Sequence, residues 1–197
     1  MTSERTLELR RQLFHLVLGS AIAAAVWMLK PVYGNLILLP LISAIALLLA
    51  IPKIAPDLTV SNHLLNHFER KSDMKEFPYK GAIYYGIGII FPIILLRLEL
   101  ACVVILILSA GDSLSTIIGK FYGSHRIGDK SVEGTLAFMA ASLTASLIFL
   151  SFIGRIDLAQ IAAVMTLAGA LIELQPVLND NVAIPALLAI LANLAGL

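Results

Sequence analysis

The sequence predicts an all-α integral membrane protein of about seven transmembrane helices, with a cytosolic N-terminus and an interfacial segment between helices 2 and 3. Three observations predict it. Hydrophobic residues fill 59% of the 197 positions, and a mean hydropathy of +0.92 lies far outside the globular range. A span needs about 20 apolar residues, and such runs occur near residues 12–29, 34–51, 79–96, 98–118, 134–153, 157–175 and 182–196. With the N-terminus inside, eleven basic residues face the cytosol: Arg5, Arg10, Arg11, Lys53, Arg70, Lys71, Lys75, Lys80, Lys120, Arg126 and Lys130. Three, Lys30, Arg97 and Arg155, face outward, a bias that obeys the positive-inside rule. The expectation is one polytopic domain over residues 1–197. Net charge of +1 leaves no nucleic-acid footprint, and the single Cys102 excludes an internal disulfide or a cysteine metal site.

Taken in order, the first apolar run follows Arg10 and Arg11 as a signal peptide would. It is long for that role, and its alanine-rich part lies mid-run, so it reads as a retained span. Its opening puts Arg11, Gln12, His15 and Gly19 on one face near the cytosolic mouth. A membrane histidine serves packing or proton chemistry, and His15 lies at the depth expected for Asp112. The longest polar stretch, residues 57–80, spaces Leu58, Leu64, Leu65 and Phe68 for an amphipathic helix lying on the membrane. His63 and His67 lie four apart without the glutamate of a zincin helix and read as solvated surface. Beyond Lys80, Gly81, Gly86 and Gly88 suit close helix contacts.

The polar chemistry concentrates in residues 111–135, GDSLSTIIGKFYGSHRIGDKSVEGT. Gly111-Asp112 falls where a membrane helix leaves the bilayer, and a carboxylate there survives by facing protein, water or a cation. Helical spacing places Asp112, Ser115, Thr116, Gly119 and Gly123 on one face, with Leu114, Ile117, Ile118 and Phe121 opposite. Small residues allow a backbone or a ligand to approach closely, and the hydroxyls with Asp112 offer oxygen to a hard cation such as Mg²⁺. Lys120, Arg126 and Lys130 follow, so the stretch reads either as a polyphosphate cradle or as a basic loop beside packed helices. GSHRIGDKS mimics a P-loop, but Asp129 interrupts it and no strand precedes it. In the sixth span Thr166, Gly169 and Glu173 share a face, with Glu173 near the cytosolic end, and Asp180-Asn181 forms a polar turn before the last helix.

These residues carry a resemblance. GDSLSTIIGKFYG followed by KSVEGT is similar to the GD-x-x-AS-x-x-G-x-x-x-G and KS-x-EG-S/T elements of the CTP-dependent polyprenol kinases. That family includes dolichol kinase, phytol kinase and the CTP-using diacylglycerol kinase of fungi. RRQLFHLVLG and IELQPVLNDNVAIP resemble the family's opening and close, so the likeness touches nearly the whole length. Ser115-Thr116 departs from the usual Ala-Ser.

The resemblance implies transfer of the γ-phosphoryl group of CTP to a membrane isoprenoid alcohol at the cytosolic face. On it, Gly111, Ser115, Thr116, Gly119, Lys120, Gly123, Arg126, Lys130, Ser131, Glu133, Gly134, Thr135 and Asn181 bind the nucleotide. Asp112, Glu133 and Asp180 hold Mg²⁺, and His15 or Glu173 positions or deprotonates the alcohol. The nearest rival is a membrane CTP:lipid-phosphate cytidylyltransferase, whose C-terminal His-Gly-Gly pattern is missing here. From another class, a proton-coupled transporter would use His15, Asp112 and Glu173, but there is no internal repeat and the polar residues gather at one face. The acceptor lipid and the oligomeric state, a homodimer included, stay open.

Overall fold

Apolar periodicity becomes helix over nearly every predicted span in the computed structural model, which describes residues 2–69, 74, 77–175 and 179–197. The helices are α1 (Thr2–Tyr33), α2 (Leu38–Ile54), α3 (Thr59–Phe68), α4 (Lys80–Leu95) and α5 (Leu98–Leu106). They continue as α6 (Ser113–Tyr122), α7 (Val132–Phe152), α8 (Ala159–Glu173) and α9 (Asp180–Leu194). Between α6 and α7 two short antiparallel strands, β1 (Arg126–Ile127) and β2 (Lys130–Ser131), pair Arg126 with Ser131 and Ile127 with Lys130. The stretches Glu4–Ile54, Leu98–Tyr122, Val132–Phe152 and Ile156–Glu173 are helical, long and apolar enough to cross a membrane, and α4 and α9 are shorter apolar helices. The chain is a predominantly helical membrane protein.

One run organises the rest. α5 passes through a π-helical turn, Ile107–Asp112, directly into α6, and every residue from Leu100 to Gly111 is buried. Helices α1, α4, α7, α8 and α9 surround it. These outer helices turn large apolar side chains outward: Leu13, Val17, Met28 and Val32 on α1, Leu136, Ile148 and Phe152 on α7, Val164 and Leu171 on α8. In water such a surface would be a large exposed apolar patch, whereas lipid tails solvate it at no cost.

At the end of the molecule expected to face outward, cations close helix ends. Lys30 donates from Nζ to the carbonyls of Ile93 and Leu96 at the end of α4. Arg155 pairs with Glu99 and Asp157. Cations at helix C-termini satisfy carbonyls that have no partner within the helix.

Several boundaries differ from the expectation. α1 begins at Thr2, so Arg5 and Arg10 ride on the helix together with Arg11. The basic loop expected after α6 is a hairpin, because Gly128 supplies the positive φ of +59° that a two-residue hairpin turn requires. The amphipathic helix of the 57–80 segment exists as α3, but it buries Ser61 and Leu65 against protein. Phe14 of α1 meets Phe68 with ring centroids 4.8 Å apart. Arg70, Lys71 and Lys75 of that segment lie outside the described residues.

Candidate functional site

α1 brings a polar stripe to the central run. Glu8, Gln12, Gly19, Ala23 and Val26 are buried at helical spacing, the period of one helix face. Gln12 donates to Glu8 over 2.9 Å, Lys120 of α6 reaches Glu8 Oε2 at 2.7 Å, and Ser113 donates to the Gln12 carbonyl. His15 follows on the same face. Its Nε2 lies 3.9 Å from Asp112 Oδ2 and is buried without a hydrogen-bond partner. The imidazole stands edge-on to Tyr85 at 4.6 Å, and Tyr85 hydrogen-bonds Ser109 at 2.9 Å. The π-helical turn ends on Asp112; such turns occur mostly as single-turn bulges inside α-helices, often at functional sites.

A second cluster adjoins the first. Ser115 Oγ lies 3.2 Å from the Asp112 carbonyl oxygen and 3.4 Å from Glu173 Oε1. Lys130, the last residue before α7's capping serine, donates to Glu173 Oε1 at 2.8 Å and to Asp180 Oδ2 at 2.6 Å. The hairpin therefore clamps the C-terminal end of α8 to the N-terminal end of α9 by one ammonium. Burial opposes the charge of Lys130, but Asp180 and Glu173 outweigh it and hold the group above the ordinary lysine value. Asn179 caps α9 by accepting from the Asn181 amide, and Asn181 Nδ2 donates to the Gly81 carbonyl.

Between α1, α2, α3 and α4 lies a groove of about 380 Å³, within the range of small-molecule sites. Leu18, Ile22, Leu41, Ile45, Leu48 and Leu65 are among its apolar walls. Arg11, His15, Asp112 and Asn181 supply polar groups to the same cavity. α1 and α2 pack little against each other, and the space between them is the groove.

The structure thus brings His15, Asp112, Ser115, Lys130, Glu173, Asp180 and Asn181 into one connected neighbourhood. Other expected nucleotide residues are committed locally. A carbon added at Gly111 would overlap Ser142 and Phe138, and one at Gly134 would lie 3.0 Å from the Ser115 carbonyl oxygen. Gly119 and Gly123 abut Ser131. These small residues serve the crossing of α6 and α7. Ser131 caps α7 by accepting from the Gly134 amide at 3.1 Å, and Thr135 donates to the Ser131 carbonyl. Glu133 pairs with His125 at 2.7 Å on the hairpin side, and Arg126 and Lys120 are exposed. Thr116 is half-buried. Sequence reasoning passed over Glu8 and Tyr85. Glu8 was detectable as the residue one turn before Gln12, once α1 is allowed to begin early.

Oxygen donors with unspent capacity remain. Glu173 Oε2 is buried without a partner, and Asp112 Oδ2 stands 3.9 Å from His15 Nε2, beyond hydrogen-bond distance. Carboxylate oxygens of this kind suit a hard cation. Among the described residues no three His, Cys, Asp or Glu side chains already converge as a metal site.

Over 198 aligned positions the chain is 32% identical to an uncharacterized protein of Methanocaldococcus jannaschii, covering 94% of this chain and 93% of that one. The chain belongs to the same family as this archaeal protein. A second member of the comparison is the dolichol kinase of Saccharomyces cerevisiae, 41% identical over 97 residues, a stretch that covers 46% of this chain and 18% of the yeast protein. No protein-family model matches the chain, and no solved structure does.

Proposed function

We propose that this family member is a membrane lipid kinase that transfers the γ-phosphoryl group of CTP to the hydroxyl of an isoprenoid alcohol at the cytosolic face. The observation that carries the reading is the groove: apolar walls between helices meet His15 and Asp112, beside the cluster of Lys130, Glu173 and Asp180. An amphiphile with one hydroxyl fits walls and head alike, and a charged donor fits the cluster. Similarity of nearly half the chain to a protein named dolichol kinase supports the same reaction class.

Phosphoryl transfer needs positioning and charge neutralisation more than covalent participation by the protein. The alcohol lies with its tail between α1 and α2 and its hydroxyl beside His15. Its oxygen bonds to the γ-phosphorus, the bond from that phosphorus to the bridging oxygen breaks, CDP departs, and the hydroxyl proton passes to His15 Nε2. Asp112, 3.9 Å from the same nitrogen, stabilises the charge that the imidazole then carries. Lys130, with Lys120 and Arg126, faces the triphosphate, while Glu173 and Asp180 hold Lys130 in place. Asp112, with the unpartnered Oε2 of Glu173, would hold Mg²⁺, a cation that one or two carboxylates bind together with substrate phosphates, and when bound it would supply further neutralisation of those phosphates.

Purified protein is tested with CTP labelled at the α or the γ position and with phytol, geranylgeraniol, dolichol or diacylglycerol. The expected result is γ-label on an isoprenoid lipid. Label arriving on lipid from the α position establishes a cytidylyltransferase instead, and no label from either position removes the reading.

A further inference from the structure

A second cavity of about 430 Å³ lies farther along the same two helices, between Ala25, Val26 and Leu29 of α1 and Pro40 and Leu41 of α2. Ile22 and Leu41 line both cavities. Among the described residues the second has no charged group in its lining, and Tyr33 carries the one side-chain hydroxyl there. Polar groups therefore cluster at one end of a paired cavity, around His15, and the walls stay apolar as far as the turn that joins α1 to α2. At 1.5 Å per residue, His15 lies about 10 Å along the α1 axis from Ile22 and about 27 Å from Tyr33. That length is close to the ~30 Å hydrocarbon core.

We infer that the two cavities form one track for the tail of the alcohol substrate, with Ile22 and Leu41 as the constriction between a head compartment and a tail compartment. The inference rests on the kinase reading for the identity of the head group. The track itself follows from the shared lining, from the spreading of α1 and α2, and from the one-ended polarity. A linear isoprenoid alcohol is the occupant that matches these features: one polar end, no second polar group, and a chain long enough to pass the constriction. A short alcohol ends within the head compartment, and a longer one must enter the second cavity. Side chains at the constriction then select chain length without touching the reacting atoms.

Ala25→Trp and Leu29→Trp, at exposed positions of α1 that line the outer compartment and not the head compartment, each fill that outer space. Both variants are expected to phosphorylate geraniol at the wild-type rate while kcat/KM for geranylgeraniol falls about tenfold or more, the scale on which apolar pockets discriminate by size. Retained geraniol turnover also shows that each variant is folded. Equal losses for both alcohols, or no loss for geranylgeraniol, overturn the track. A second readout is independent of turnover: geranylgeraniol with a photoreactive group at its tail end is crosslinked to wild-type protein. Adducts at Leu29 or Leu36 that unlabelled geranylgeraniol suppresses and phosphatidylcholine does not support the track even if no phosphate is transferred. Adducts suppressed by phosphatidylcholine alone assign the outer cavity to bulk lipid and overturn it.

Discussion

Asp112 and Lys130 carry most of the site's charge logic. Asp112 stands 3.9 Å from His15 and lines the groove, so Asp112→Asn keeps size and shape while removing the charge that steadies a protonated imidazole. Its kcat in the labelled-CTP assay is expected to fall about 10²-fold or more, the usual scale of acid–base and electrostatic contributions, with thermal stability near wild type; near-normal turnover refutes the role. Lys130 bridges Glu173 and Asp180 at 2.8 and 2.6 Å, and these partners raise its pKa above the ordinary 10.5. A raised folded-state value means that its stabilisation is fully present below the unfolded value and is lost as pH rises through the folded one. Unfolding profiles of the wild type and Lys130→Met should therefore differ by a constant amount from neutral pH to about pH 10, then converge at higher pH. Curves that converge near pH 7 refute the assignment. Complete loss of one partner from a buried pair costs about 3–5 kcal/mol; with 26% of the Lys130 side chain exposed, the cost here is smaller.

At the level of elements, glycine decides how closely α1 approaches the central run. A carbon added at Gly19 would overlap Ser109 and the Tyr85 hydroxyl, the pair that stands behind His15. Gly19→Ala must either push α1 outward or break the Tyr85–Ser109 hydrogen bond, an overpacking cost of about 1–3 kcal/mol. Thermal denaturation in detergent should show it, while Gly81→Ala, with nothing within 4 Å of the added carbon, should leave the midpoint almost unmoved. Equal midpoints for both variants would contradict the packing. The hairpin acts as an element too: its turn at Gly128 lets β2 deliver Lys130 to α8 and α9, and Ser131 then starts α7.

For the whole molecule, the charge bias and the site location make one prediction. With the N-terminus inside, Ser124 on the hairpin side faces the cytosol, while Lys30 and Arg155 mark the opposite face. Single cysteines at position 124 and beside residues 30 and 155 are introduced into a Cys102→Ala background, Cys102 being fully buried. On intact cells an impermeant thiol reagent should label the positions near 30 and 155 and leave 124 unlabelled until the membrane is opened. Labelling of position 124 from outside reverses the arrangement and separates the site from cytosolic CTP.

The sequence by itself determined the helical membrane class, the apolar runs that become helix and the common end of the helices to which His15, Asp112, Glu173 and Asp180 belong, because apolar periodicity and the cost of charge in lipid act locally along the chain. Only the tertiary structure decided who touches whom at that end. Lys130 meets Glu173 and Asp180 across 43 and 50 residues, and Lys120 meets Glu8 across 112; helix periodicity fixes the face of a side chain and leaves its distant neighbour free. The same physics explains the glycines of 111–135. A small residue at a helix face invites either a ligand or another helix, and the packing of α7 on α6 takes up Gly119 and Gly134. The groove was beyond local reading altogether, because it is space left where α1 and α2 diverge, and its shape depends on every helix that holds them apart.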